Sequence, residues 1–203
     1  SETPLTEQEQ KRRSRANWWY YHWGIVAVAA VLTVSVVYVA HGLLTTVDPD
    51  YTVAVVTAES LPDEAVQSLQ TALEAYDKNG DGAVIVQVNN YTWSANASLT
   101  DMNGQMAGAT QMNTDLANHE SSLWVLEDPA GFEEAYGALS EQLGSDWQQK
   151  LIPWSEQPAL ASLELGSYDT TADGTGSVTV QSRFQNCEIA VFDESCTLWQ
   201  KLN

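Results

Sequence analysis

The sequence predicts an α/β domain joined to an N-terminal transmembrane helix. The chain has 203 residues and a formal net charge of −19, and an uncharged stretch separates its short N-terminal segment from a long acidic one. In the acidic segment, β-branched runs alternate with segments whose apolar residues recur at helical spacing. This alternation predicts a three-layer βαβαβ domain with a mostly parallel sheet, completed by a C-terminal antiparallel hairpin.

The uncharged stretch, residues 18–44, is predicted to be the transmembrane helix. Its segment 24–40 is apolar apart from one Thr and one Ser, and with either flank it exceeds the roughly 20 residues that cross about 30 Å of hydrocarbon. Five aromatic residues at its start are typical of a membrane interface: Trp18, Trp19, Tyr20, Tyr21 and Trp23. A cleaved signal peptide is the alternative, although bulky Tyr38 would then occupy a cleavage-site position that favours small residues.

Charge is distributed unevenly on the two sides of this stretch. Residues 1–17 contain 3 acidic and 4 basic side chains, whereas residues 45–203 contain 24 acidic and 4 basic ones, a balance of −20. The positive-inside rule therefore predicts a cytoplasmic tail over 1–17, a single pass through the cell membrane over 18–44 and an extracytoplasmic, extracellular domain over 45–203. Without a basic surface, the domain is not expected to bind nucleic acid.

The elements of the domain follow from local patterns. Three runs rich in β-branched residues are predicted to be strands: residues 51–57, 83–88 and 122–126. Helices are predicted to begin near Ser60, to cover 103–118 and to begin again at Asp128, where Ser60 and Asp128 are expected to act as helix caps. Residues 178–184 and 189–192 are predicted to form the hairpin or two edge strands.

The cysteines fit an extracytoplasmic location. Cys187 and Cys196 would close a ten-residue loop, and a disulfide there is expected to stabilise the domain by about 2–3 kcal/mol. Two free thiols are the alternative.

Several motifs carry a resemblance to a known family. They are Tyr76-Asp-Lys-Asn-Gly-Asp-Gly82, Gln105-Met-Ala-Gly108, Leu126-Glu-Asp-Pro129 with Gly131-Phe132, and the spaced residues Trp154, Pro158, Leu160, Leu165-Gly166 and Tyr168. With them, most of residues 50–203 resembles uncharacterised membrane-anchored or secreted proteins of anaerobic Gram-positive bacteria. The resemblance implies no particular activity. The βαβαβ order is also similar to one lobe of extracellular solute-binding proteins, which need two lobes.

A calcium-like pattern lies between the first predicted helix and the second strand. Asp77, Asn79 and Asp81 offer oxygen ligands at the spacing of the first half of an EF-hand loop, and Ala83 could add its carbonyl. Val88 occupies the position of the bidentate Glu, which excludes a full EF-hand. The sequence thus indicates a possible calcium cofactor in a shorter loop, and the alternative is a polar helix-to-strand turn.

A ligand site is predicted where the parallel strands end, because open α/β sheets bind ligands at their carboxyl edge. Its candidate residues are Glu59, Asn89, Asn90, Tyr91, Glu127 and Asp128. Acids, amides and an aromatic ring suit a sugar, a peptide or a cationic ligand.

Catalytic patterns are scarce, so the domain is not expected to be an enzyme. His119 is the single histidine beyond the uncharged stretch, and no G-x-S-x-G motif occurs. The sequence therefore favours a non-catalytic domain that binds a small-molecule ligand or an envelope protein. A calcium-stabilised structural domain of the cell envelope and an extracytoplasmic hydrolase are the alternatives.

Overall fold

The computed structural model describes residues 6–45, 49–75, 85–96, 102–171 and 174–203. It divides the chain into two compact units, Ser1–Asp48 and Pro49–Asn203.

The first unit is a single long helix, α1 (Glu7–Thr45). Its stretch Glu7–Leu44 has a mean hydropathy of 2.3 in its most apolar part and is long and apolar enough to cross a membrane, a property that signal sequences share. The helix begins well before the predicted span, because Gln, Lys and Arg are good helix formers. Glu9 also caps the start, since its carboxylate accepts hydrogen bonds from the Thr6 backbone N–H and hydroxyl at 3.0 Å each.

The described residues of the second unit form seven strands: β1 (Tyr51–Thr57), β2 (Val86–Thr92), β3 (Leu123–Leu126), β4 (Ile152–Pro153), β5 (Ser167–Asp169), β6 (Ser177–Thr179) and β7 (Glu188–Val191). Five of them form one sheet in the order β2-β1-β3-β7-β4. β1 pairs in parallel with β2 and β3, whereas β7 runs antiparallel between β3 and β4. The predicted mixed α/β class with a mostly parallel sheet is therefore confirmed.

In the described part of this unit, seven further helices lie between the strands and an eighth follows β7: α2 (Asp63–Glu74), α3 (Met102–Asn118), α4 (Pro129–Tyr136), α5 (Ala138–Leu143), α6 (Trp147–Lys150), α7 (Pro158–Ala161), α8 (Val180–Phe184) and α9 (Thr197–Leu202). A 3-10 turn covers Trp154–Glu156.

Successive residues of a strand belong alternately to two core clusters. Along β1, Val53 and Val55 belong to one cluster and Ala54 and Val56 to the other, as the two-residue period of a strand requires. The first cluster contains side chains of α2, α7, α8 and α9, and the second contains side chains of α3, α4 and α5. A strand buried through both sets of residues explains why residues 51–57 form an almost continuous apolar run.

The predicted C-terminal hairpin is wrong in its details. Residues Val180–Phe184 are helical, because the Thr179 hydroxyl accepts a hydrogen bond from the Ser182 N–H at 3.3 Å and caps α8. Val180 and Phe184, one turn apart, are both buried. β7 joins the main sheet instead, and the antiparallel hairpin is formed by β5 and β6 as a separate two-stranded sheet.

The predicted disulfide is also corrected. Cys187 and Cys196 are free, buried thiols. Both belong to the first core cluster, Cys187 directly before β7 and Cys196 in the turn that follows this strand.

Candidate functional site

A cleft of about 600 Å³ opens beside β2, between the start of α2 and the middle of α3. We call it the β2 cleft. Apart from three apolar residues and Tyr91, its lining is polar: Ser60, Asp63, Gln87, Asn89, Asn90, Thr110, Gln111, Thr114 and Glu120.

β2 is an edge strand, so one row of its backbone groups faces away from the sheet. Two groups in this row are already bound by α2. The Val86 N–H donates to Glu74 Oε1 at 3.2 Å, and the Val88 N–H donates to Gln70 Oε1 at 2.9 Å. By the alternation of a parallel ladder, the backbone groups of Asn90 face the same outward side. The strand therefore presents its polar backbone to the cleft at Asn90.

The Asn90 side chain shapes the wall of the β2 cleft. Its Oδ1 accepts a hydrogen bond from the Leu61 N–H at 2.7 Å, which holds the segment before α2. Its Nδ2 donates to the Val55 carbonyl at 3.1 Å and to the Thr57 hydroxyl at 3.0 Å. With its amide engaged in this way, Asn90 fixes the loop geometry, and other side chains are left to meet a ligand.

Tyr91 lines the cleft, and its hydroxyl belongs to a buried network. The hydroxyl donates to Asp115 Oδ2 at 2.6 Å, and the same carboxylate accepts from the Ser121 hydroxyl at 2.6 Å and the Ser121 N–H at 2.9 Å. Burial, together with the nearby Asp115 carboxylate, raises the pKa of Tyr91. Tyr91 therefore stays neutral, and its network ties β2 to the end of α3.

The charged side chains that line the cleft are all acidic among the described residues. Asp63 and Glu120 are its acidic residues, and the described residues that line it include no Lys, Arg or His. Gln87 Nε2 donates to Asn89 Oδ1 at 2.8 Å, which orients both amides. Amides and hydroxyls can both donate and accept, so the surface can satisfy neutral polar groups or a cation, but offers no cationic side chain to an anion.

Three of the six predicted ligand residues lie in the β2 cleft, namely Asn89, Asn90 and Tyr91. The other three line the loops at the strand ends. Glu127 Oε2 accepts from the Ala58 N–H at 2.8 Å, and Glu59 lies 3.7 Å from the Arg183 guanidinium. The single carboxyl-edge site predicted from the sequence is thus divided between a cleft and a set of loop contacts.

The two predicted helix caps have different outcomes. Asp128 Oδ1 accepts from the Gly131 N–H at 3.1 Å and caps α4, as expected. Ser60 does not cap α2, which begins at Asp63 without a side-chain cap. The reason is that Pro62 occupies the N-cap position, so that Ser60 lies two residues before the position from which a side chain could cap α2.

The calcium-like residues Asp77, Asn79, Asp81 and Ala83 lie outside the described residues. Within the described part of the chain, no group of three or more His, Cys, Asp or Glu side chains is placed to hold a metal ion. His119 ends α3 with a φ of 53° and lies exposed, 3.5 Å from the Gln142 amide.

Sequence reasoning missed the side of the cleft that α3 provides, above all Gln111 and Thr114. Both are exposed polar residues on a helix with many others. The available signal is Asp115, which recurs three residues after buried Met112 and therefore lies on the buried side of α3. A buried carboxylate needs partners, and that requirement could have predicted which side of the helix meets β2.

Comparisons of the chain with protein-family models, with curated proteins and with solved structures find no match. Function is therefore inferred from the chemistry of the chain itself.

Proposed function

We propose that this chain is a single-pass membrane protein that holds a three-layer α/β domain outside the cytoplasm. The domain binds a neutral or cationic polar ligand, a carbohydrate or a peptide segment of an envelope protein, in the β2 cleft. It catalyses no reaction. The observation that carries the proposal is an open cleft of about 600 Å³ whose described lining is rich in amides and hydroxyls and free of basic side chains.

The ligand class follows from hydrogen bonding and charge. Gln87, Asn89 and Gln111 supply both donors and acceptors, which match the hydroxyls of a sugar or the amides of a peptide. Asp63 and Glu120 add negative charge in a segment that carries 24 acidic and 4 basic residues. This field attracts cations and repels anions, so acidic ligands are disfavoured.

The membrane part of the proposal is supported by α1 and its flanks. The helix is apolar over a length that spans a bilayer, and its first turns carry 4 basic residues, which precede the apolar part. By the positive-inside rule this end stays in the cytoplasm and the Pro49–Asn203 unit lies outside.

The test is a binding titration of the full chain in detergent. Neutral oligosaccharides, Lys-rich peptides and Glu-rich peptides are titrated by calorimetry. Binding is expected for members of the first two groups and not for the third. Replacing Gln111 with Ala removes one amide from the cleft and should weaken binding about five- to tenfold.

Asn113→Ala is the matched control for this titration. Asn113 is an exposed amide on the same helix, but it does not line the cleft. The absence of saturable binding across the panel, or equal losses in the two variants, would contradict the proposal. Turnover of a bound oligosaccharide or peptide would favour the hydrolase alternative.

A second candidate function is a calcium-stabilised structural domain. It is supported by the Asp77-x-Asn79-x-Asp81-Gly82 pattern between α2 and β2, with Ala83 offering a further oxygen. Added calcium should then raise the melting temperature of the full chain relative to chelator, and Asp81→Ala should abolish that rise. An unchanged melting temperature in the wild type would eliminate this candidate.

A further inference from the structure

Basic residues and tryptophans at the start of α1 are concentrated on one side of the helix. α1 is continuous from Glu7, so each residue advances about 100° around its axis. On this spacing an arc of about 140° contains Lys11, Arg12, Arg15, Trp18, Trp19 and Trp23. We call this arc the basic–tryptophan face. Arg13, Tyr20 and Tyr21 lie outside it.

The aromatic rings of the basic–tryptophan face contact one another, or a neighbouring ring, from one helical turn to the next. Trp18 stacks on His22 with ring centroids 4.8 Å apart and an interplanar angle of 10°, and the Trp19 and Trp23 rings lie 6.1 Å apart. Ser14, Arg15, Trp18 and Trp19 line a groove of about 410 Å³. A guanidinium and two indole rings therefore border one concave surface.

We propose that this groove binds the phosphate headgroup of an anionic phospholipid in the leaflet at the N-terminal end of α1. Arg15 contacts the phosphate, Lys11 and Arg12 supply further positive charge, and Trp18 and Trp19 pack against the glycerol and upper acyl region. The inference rests on the membrane part of the proposed function.

The guanidinium and the two indoles each suit the membrane depth at which the helix places them. Arg15 precedes the two indoles by about one helical turn, or about 5 Å along the axis, which is a headgroup position if the indoles lie at the interface. A planar guanidinium can hold two phosphate oxygens at once, and an indole N–H can donate to a lipid oxygen. Trp18 and Trp19 are 53% and 51% exposed, so both rings are accessible to lipid.

The one-sided arrangement favours a bound lipid over simple anchoring. An interfacial anchor gains from aromatic and basic residues at any angle around the helix, because lipid surrounds it. Here three of the four basic residues and all the tryptophans of α1 share the same face, with the tyrosines elsewhere. Charge complementarity selects an anionic headgroup, and the direct continuity with the apolar part of α1 selects a lipid over a soluble phosphate.

The test uses the full chain reconstituted in nanodiscs of phosphatidylcholine and phosphatidylglycerol. Electron paramagnetic resonance of spin-labelled lipids measures the relative association of the two headgroups. The wild type should prefer phosphatidylglycerol, and Arg15→Gln should lower that preference about fivefold. The matched control Arg13→Gln removes the same charge outside the basic–tryptophan face and should lower it less than twofold.

Three results would overturn the assignment: no headgroup preference in the wild type, equal losses in both variants, or displacement of the labelled lipid by millimolar glycerol phosphate. Resistance to alkaline extraction is measured in parallel. A chain that inserts but shows no preference refutes the lipid site alone, whereas a chain that does not insert refutes the proposed anchor as well.

Discussion

In α1 the large apolar side chains from Val28 to Leu44 are exposed, whereas among the described residues of the Pro49–Asn203 unit only Met102 and Met106 are exposed large apolar residues. The second unit buries its apolar residues against one another, in two clusters. Among the described residues of its own unit, 6–45, α1 has no such partner, so its apolar surface needs another apolar environment. The contrast separates a self-sufficient domain from a helix that suits a bilayer.

Polar groups show the same contrast. In α1, the Thr33 and Ser35 hydroxyls donate to backbone carbonyls four residues earlier, each at 2.8 Å, so that they need no outside partner. In the domain, some buried polar side chains bond distant parts of the chain, as Gln157 Nε2 does by donating to the Leu202 carbonyl at 2.7 Å. The two hydroxyls of α1 are thus satisfied locally, whereas Gln157 also makes a long-range hydrogen bond.

The largest effect is expected from charges in the middle of α1. Val31→Arg combined with Val34→Arg should disfavour insertion by about 5–7 kcal/mol, because each Arg at the centre of a span costs about 2.5–3.5 kcal/mol. The measurement is the fraction of full-length chain that resists alkaline extraction from membranes.

The matched control places the same charges on exposed positions of α3, as Asn113→Arg with Ala117→Arg. This variant should remain in the membrane fraction. If the α1 variant stayed in the membrane fraction, or if both variants were released from it, the conclusion that α1 alone suits a bilayer would be contradicted.

A smaller effect is expected from the buried network at Asp115. Asp115→Ala leaves the Tyr91 hydroxyl and the Ser121 hydroxyl and N–H without their acceptor, which should lower the free energy of unfolding by about 3–5 kcal/mol. Urea denaturation of the full chain in detergent measures it.

Tyr91→Phe is the control for the network, because it removes one donor and should cost about 1–2 kcal/mol. If the contacts form one network, the double variant should be less destabilised than the sum of the two single changes. If the losses of unfolding free energy in the two single variants simply added, the proposal of one network would be contradicted.

The Cys187 thiol makes the stability of the domain depend on pH. Burial, with a smaller contribution from Glu127, raises the pKa of this thiol from 9.0 to about 12. Above about pH 9 the unfolded chain loses this proton while the folded chain keeps it, so the contribution is complete below pH 9 and is lost as pH rises toward 12. The free energy of unfolding should fall by at most about 1.4 kcal/mol per pH unit in this window.

Urea denaturation at pH 8 and pH 10 measures the fall, and Cys187→Ala should make it smaller. A remaining fall above about pH 10 is expected from Tyr91, whose raised pKa acts in the same direction.

Both cysteines should also take up iodoacetamide after denaturation without reductant, since they are free thiols. Equal pH slopes in the two proteins, or no label, would contradict the environment of these residues.

The smallest effect distinguishes two residues with similar sequence signals. Asp128→Ala removes the cap of α4 and should lower the free energy of unfolding by about 1 kcal/mol. Ser60→Ala should change it by less than about 0.5 kcal/mol, because Ser60 caps no helix. The two variants serve as controls for each other in urea denaturation, and equal losses would show that Ser60 has a capping role.

The elements with strong local signals were predictable from the sequence. The β-branched run 51–57 is β1, and the predicted helix 103–118 is α3 to within one residue. The predicted strand 178–184 is correct only up to Thr179, the end of β6, and wrong from Val180 onward, where β-branched Val favours a strand locally but α8 forms. The buried pair Val180 and Phe184 has helical spacing, and this tertiary contact outweighs local preference.

The position of β7 in the sheet and the residues that α3 brings to the cleft could not be predicted from local sequence patterns. Nothing near β7 indicates that it enters the main sheet between β3 and β4, since pairing partners distant in sequence decide this. The same holds for the β2 cleft. Asn89, Asn90 and Tyr91 were predicted from the end of a strand, but Gln111 becomes part of the cleft only through the packing of α3 against β2.

The exposed edge of β2 has a consequence for the membrane-anchored protein that we propose. Tethering raises the encounter rate between copies, and an open strand edge would invite them to join into a continuous sheet. Glu74 and Gln70 occupy the Val86 and Val88 N–H groups that an incoming strand would need. Two side chains of α2 thus cover part of this edge, and in the proposed anchored protein they would hinder edge-to-edge pairing between neighbouring copies.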